Sequence, residues 1–93
     1  MTNEERYVVR QIVNRALDKG YVLSIYDGEE FPLLHSDDAD EVMADLGHCG
    51  EEWLYVENAD HKKIGTIFLV YGNDADEVVC DCTDKPEILE IVG

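Results

Sequence analysis

The stretch Tyr21–His35, YVLSIYDGEEFPLLH, decides the fold. "YVLSIY" is rich in β-branched and aromatic residues, the composition of a strand. Asp27-Gly28 is a strong hairpin signal, with "DGEE" as the turn. "FPLLH" is then a short returning strand, and Pro32 has no N–H to give a ladder, which places it at a sheet edge. A hairpin here makes the sheet antiparallel at its start.

Upstream, residues 1–20 predict a helix. Thr2 and Glu5 have capping-box spacing, and Val8, Val9, Ile12, Val13, Ala16 and Leu17 form one apolar stripe. Lys19 meets the dipole in the last turn and Gly20 is placed to end the helix. Downstream, "DADEVMADL" predicts a short second helix with Val42, Met43 and Leu46 on one face, capped by Ser36 or Asp37 and ended by Gly47. "EWLYVEN" and "IGTIFLVY" read as strands 3 and 4, the latter the most apolar and the best candidate for a central strand. "EVVCDCT" reads as strand 5, with Val78, Cys80 and Cys82 on one face and Val79, Asp81 and Thr83 on the other. "DKPEILEIV" either starts a last helix capped by Thr83 or Asp84, or stays irregular. The order is α-β-β-α-β-β-β with a short C-terminal helix as an option. The fold class is α+β: an antiparallel sheet of about five strands with helices packed on one face. Hairpins dominate this order and leave no long crossover. Residues 1–93 form one compact domain, as 93 residues suit.

The charge is the unusual feature. Twenty-two acids face seven bases, a formal net charge of −15. Residues 1–19 carry four bases against three acids, net +1, while the other 74 residues carry three lysines against 19 acids, net −16. Between Gly20 and His61 there are twelve acids and no Lys or Arg. Such a chain does not hold nucleic acid by its phosphates, and anionic membrane surfaces repel it. No apolar run reaches the ~20 residues of a membrane span, and "MTNEERY" lacks the pattern of a signal peptide. Three cysteines in no framework spacing suit a reducing, cytoplasmic setting.

Sites of chemistry are scarce. "DADEV" occurs at Asp38–Val42 and again at Asp74–Val78. Neither copy fits an EF-hand loop: the fifth and sixth positions are Val42 and Met43 in one, Val78 and Val79 in the other. The copies lead into helical spacing and strand alternation respectively, so they predict different structures rather than a repeat. His48-Cys49 with Cys80-x-Cys82 lacks the usual C-x₂₋₄-C zinc spacing, and the strand cysteines read as small apolar fillers on the inner face beside Val78. His35, His48 and His61 pair with no cysteine, and there is no nucleophile elbow or phosphate loop. We expect no catalytic residues, metal or cofactor.

Charge is what remains as a function. A 93-residue domain is roughly 30 Å across, and duplex DNA carries about 18 charges over that length, comparable with −15. The expected partner surface comprises Asp27, Glu29, Glu30, Asp37, Asp38, Asp40, Glu41, Asp45, Glu51, Glu52, Glu57, Asp74, Asp76, Glu77 and Asp81. Its expected partner is a basic, nucleic-acid-binding protein, with this chain imitating the nucleic acid. Solubility or salt adaptation of an acidic monomer or homodimer is the alternative, and a small metal-binding module or enzyme is the third reading. Outward-facing aromatics among Tyr21, Tyr26, Trp53, Tyr55, Phe68 and Tyr71 would anchor a partner.

"YVLSIYDGEE", "FLVYGNDADEVVCDCTD" and the α-ββ-α-βββ layout resemble a group of small acidic proteins encoded by bacteriophages and prophages. The recurring pieces are matched by Tyr26–Glu30 and Val70–Asp84, within a similarity spanning residues 15–85. The resemblance carries over no catalytic residue. It implies a setting: accessory proteins that inhibit host nucleic-acid machinery, including restriction and CRISPR systems.

Overall fold

The computed structural model describes residues 1–93. The elements are α1 (Asn3–Asp18), β1 (Val22–Tyr26), β2 (Leu33–Ser36), α2 (Ala39–Asp45), β3 (Glu51–Glu57), β4 (Lys63–Val70), a 3₁₀ turn (Ala75–Glu77), β5 (Val79–Cys82) and α3 (Pro86–Val92). The five strands are antiparallel throughout, in the order β2-β1-β3-β4-β5. The fold is the α+β class expected, with the helices on one face.

Helix α1 starts and stops as its sequence dictates. Glu5 N–H donates to Thr2 Oγ1 (3.1 Å) and Thr2 N–H donates to Glu5 Oε1 (2.8 Å), closing the capping box. At the other end Gly20 sits at φ +85°. Its N–H reaches Leu17 O (3.0 Å), and Tyr21 N–H reaches Ala16 O (3.2 Å), a complete Schellman stop. The stripe Val9, Ile12, Val13 and Ala16 is fully buried. It packs with Leu23 and Ile25 of β1, Leu54 and Val56 of β3, Ile67 and Leu69 of β4, and Ile88 and Ile91 of α3.

Strand β4 is interior, as its hydropathy suggests, paired with β3 on one side and β5 on the other, and β3 is the middle strand of the five. Glu52 and Glu57 make β3 read as less apolar, yet both are buried. The route into β3 also departs from a run of hairpins. Residues 37–50, carrying α2, bring the chain from edge strand β2 past β1 to β3. Asp38 caps α2, rather than Ser36 or Asp37: its Oδ1 accepts from Asp40 N–H (2.9 Å) and Glu41 N–H (3.3 Å). Ser36 instead donates to Glu41 Oε1 (2.6 Å). Helix α3 begins with Pro86 after Lys85, a first-turn position that needs no N–H. The expected caps do other things: Thr83 Oγ1 accepts from Thr66 N–H (2.9 Å) and Asp84 is exposed.

Strand β5 breaks the expected alternation. Leu69 pairs with Val79 but Phe68 pairs with Asp81, so Cys80 has no partner across the ladder. This bulge reverses the parity. Val79 and Cys82 face the core, while Cys80 is exposed, not an inner-face filler. The two "DADEV" copies are also more alike than expected. In each, the first Asp is extended at a cap position, Ala-Asp-Glu turns helically and the Val is buried. They differ in kind, however: the first copy opens the α-helix α2 with Asp38 capping it through its side chain, and the second is a 3₁₀ turn before β5 that the Asp74 side chain does not cap.

Gly65 lies on β4 where α3 crosses the sheet. A Cβ there would overlap the Ile88 side chain and come within 3.2 Å of Thr83 Cβ. The expected cost of Gly65→Ala is about 1–3 kcal/mol of overpacking. Urea unfolding measures it; an unchanged midpoint would mean that α3 does not rest on β4.

Candidate interaction face

The acids do not form one surface. Glu52 is 1% exposed and accepts from Gly47 N–H (2.7 Å) and Tyr71 O–H (2.9 Å). Glu57 is 6% exposed and accepts from Ser24 O–H (2.8 Å). These two glutamates are internal, so they leave the expected partner surface. Others are tied locally: Asp27 Oδ1 accepts from Glu29 and Glu30 N–H (2.8 and 2.7 Å), and Asp81 Oδ1 accepts from Cys82 N–H (2.8 Å).

The two acidic pentapeptides stay apart. Asp37, Asp38, Asp40 and Glu41 follow edge strand β2, and Asp74, Asp76 and Glu77 precede the opposite edge strand β5. Four strand spacings, about 19 Å, separate those edges. The register puts Ser36 beside Leu23, and Val70 opposite Glu51 rather than opposite Val56, so the pentapeptides also lie at opposite ends of the strands. Asp45 lies in the last turn of α2, while Glu29, Glu30 and Glu51 are exposed at the end that holds the β1–β2 turn.

Three of the four bases in residues 1–19 meet partners within the chain. Arg10 pairs with Asp40 (2.9 Å), Lys19 pairs with Glu90 (2.8 Å), and Arg15 donates to Ile91 O (3.2 Å). These three contacts clasp the helix between α2 and α3, while Arg6 is exposed and makes no ion pair.

What the fold does bring together is aromatic. All helices cover one face of the sheet; the other is open. Alternation along β3 sends Leu54 and Val56 inward and Trp53 and Tyr55 outward. Register then builds two cross-strand rows on the open face. Tyr26, Trp53, Phe68 and Asp81 make one; Ser24, Tyr55 and Thr66 make the next, extended by Thr83. Trp53 and Phe68 stack at 4.7 Å between ring centroids, and Tyr26 lies 5.7 Å from Trp53. Phe31, from the β1–β2 turn, is 42% exposed and closes on Tyr26 (4.8 Å) and Tyr55 (5.3 Å). Lys63 Nζ sits 4.2 Å over the Tyr55 ring. Tyr21 and Tyr71 pack against the core instead.

At the β2 side of this face, His35 and His61 stack at 4.1 Å with rings 4° from parallel, beside Glu57 and Ser24. Both histidines have left-handed backbones, φ 54° and 63°. His35 is held there by its N–H to Ser24 Oγ (2.9 Å) and its Nδ1 on Glu57 Oε1 (2.9 Å). The residue types suggest a Ser-His-Glu triad, but the connections are wrong for one. The carboxylate, not the imidazole, bridges the other two, and Ser24 is fully buried. No three His, Cys, Asp or Glu side chains are placed to hold a metal ion, and no helix is long and apolar enough to cross a membrane.

The sequence reading missed Phe31, Lys63 and the histidine pair. Phe31 and His61 sit in turns, where no periodicity marks a face. The outward parity of Trp53 and Tyr55 was readable once Leu54 and Val56 were taken as core. Comparisons with protein-family models, curated proteins and solved structures return no match.

A buried polar cluster braces the end of β3. Gly72 N–H donates to Glu5 Oε2 (2.9 Å), and Thr2 holds Glu5 below the usual carboxylate range. Burial, then the Glu52 charge, pushes the Tyr71 phenol up. A phenol whose folded pKa is raised stabilises the fold below the ordinary tyrosine value, about 10, and that contribution fades as pH rises beyond it. Tyr71→Phe is expected to cost about 1–2 kcal/mol at neutral pH, because Glu52 loses a donor. The same variant should flatten the alkaline loss of stability. Urea unfolding across pH checks this; an alkaline slope unchanged from that of the natural chain would contradict it.

Proposed function

We propose that this chain is a non-enzymatic binding protein whose open sheet face docks a basic segment of another protein. One observation carries the reading. A contiguous aromatic surface, Tyr26, Phe31, Trp53, Tyr55 and Phe68, is left uncovered by every helix in a chain of net charge −15. Aromatic side chains dominate interface energetics, and charge of one sign steers a partner of the other. Glu29, Glu30, Glu51 and Asp81 lie at the margins of that surface. The resemblance to small phage and prophage proteins supplies a setting. The chain would act in the cytoplasm as an accessory inhibitor, occupying a host protein's nucleic-acid-binding surface. What supports the mimicry form is total charge, since the acids lie at separate ends of the sheet. Charge kept for solubility alone assigns no role to the half-buried aromatic rows that no helix covers.

Fluorescence anisotropy with a labelled polybasic peptide tests the proposal at low and at high ionic strength. Binding is expected at low salt and should weaken as salt screens it. Trp53→Ala/Tyr55→Ala should lose about tenfold or more in affinity, as expected for interface anchors. Asp37→Asn/Asp74→Asn, which removes charge at the two distant ends, should lose less. No binding at low salt, or equal binding by the aromatic variant, would refute the proposal.

A further inference from the structure

The open face holds a groove of about 320 Å³, lined by Trp53, Thr66, Phe68, Asp81, Cys82 and Thr83. We propose that it receives an arginine side chain of the basic partner; this rests on the binding reading above and names its anchor. In the cross-strand row Phe68 stands between Trp53 on β3 and Asp81 on β5. Its ring is stacked on Trp53, 17° from parallel, so the groove sets paired aromatic rings against a carboxylate. A planar cation entering it would lie against π-faces while meeting Asp81.

Three features select the ligand. First, the face already holds a cation on a ring: Lys63 Nζ over Tyr55, the neighbour of Thr66 in the next row. Second, Asp81 is exposed and pairs with no cation of its own chain. One of its oxygens accepts Cys82 N–H, which orients the carboxylate and leaves its other oxygen uncommitted. Third, the ring-plus-carboxylate pairing suits guanidinium better than ammonium. Guanidinium is flat, weakly hydrated and stacks on aromatic rings, whereas ammonium is a compact, strongly hydrated point charge. The groove is open to solvent rather than enclosed, and β5 is a short edge strand, so a side chain can enter from a partner lying along that edge.

Hexa-arginine, hexa-lysine and hexa-citrulline peptides, titrated against Trp53 fluorescence, test the assignment. Arginine and lysine peptides carry equal charge, so non-specific attraction to an acidic protein cancels in their ratio. Hexa-arginine is expected to bind about fivefold or more tightly than hexa-lysine, and hexa-citrulline not at all. Asp81→Asn keeps an oxygen for Cys82 N–H and removes only the charge. It should weaken hexa-arginine about tenfold and hexa-lysine far less, collapsing the ratio. Phe68→Leu should do the same by removing the ring. Equal affinity for the two cationic peptides, unmoved by either variant, overturns the arginine groove and leaves the broader binding reading standing. Failure of both peptides to bind overturns the two together. A dimer seen by sedimentation that excludes hexa-arginine also overturns the assignment, giving the groove to a second copy.

Discussion

Everything outside the core depends on one constraint: the alternation along β3 from Glu52 to Val56. Glu52, Leu54 and Val56 point to the helices and Trp53 and Tyr55 to the open face, the alternation ending at the irregularity between Val56 and the buried Glu57. Because β3 pairs with β1 on one side and β4 on the other, its parity sets theirs through the register. Burying Leu54 and Val56 stabilises by roughly 1.5–3 kcal/mol each. A slip of one residue would exchange that pair for Trp53 and Tyr55 and lose the fit to α1. The same term that forms the core therefore presents the aromatic rows.

The charge has been accommodated rather than concentrated. Three glutamates are buried, and no buried side-chain nitrogen or oxygen lacks a hydrogen-bond partner. Glu5 and Glu52 accept from backbone groups around the α1 start and the β3 start; Glu57 is served by Ser24 and His35. Arg10 and Lys19 tie down α2 and α3 through the carboxylates of Asp40 and Glu90, and Arg15 ties down α3 through the Ile91 carbonyl. The remaining acids spread over both ends of the sheet. An acidic envelope of that kind sets long-range attraction for cations, while the aromatic face supplies short-range contact.

Much of the architecture was legible because it rests on local physics. The capping box at Thr2 and Glu5, the Gly20 stop, the Asp27-Gly28 turn and the edge position after Pro32 each follow from a backbone requirement. Burial was harder. The burial of Glu52 and Glu57 is not marked by composition, and a bulge at Cys80 turned Cys80 outward against its expected parity. Both are tertiary effects: a carboxylate can sit in a core only where donors from distant segments converge, and a bulge is visible only in the partner strand. The candidate site was legible in half. Trp53 and Tyr55 announce an outward face, yet the acids chosen by composition divide into buried, capping and separated groups once the register is known.

Chemical-shift mapping of the chain with a polybasic peptide tests the central claim most directly, because it reports position as well as affinity. The account predicts shifts centred on the Trp53 indole, Tyr55, Thr66, Phe68 and Asp81, with the helix side of the sheet undisturbed. Shifts confined to the acidic turns at Asp37–Glu41 and Asp74–Glu77, with the aromatic rows silent, would contradict it.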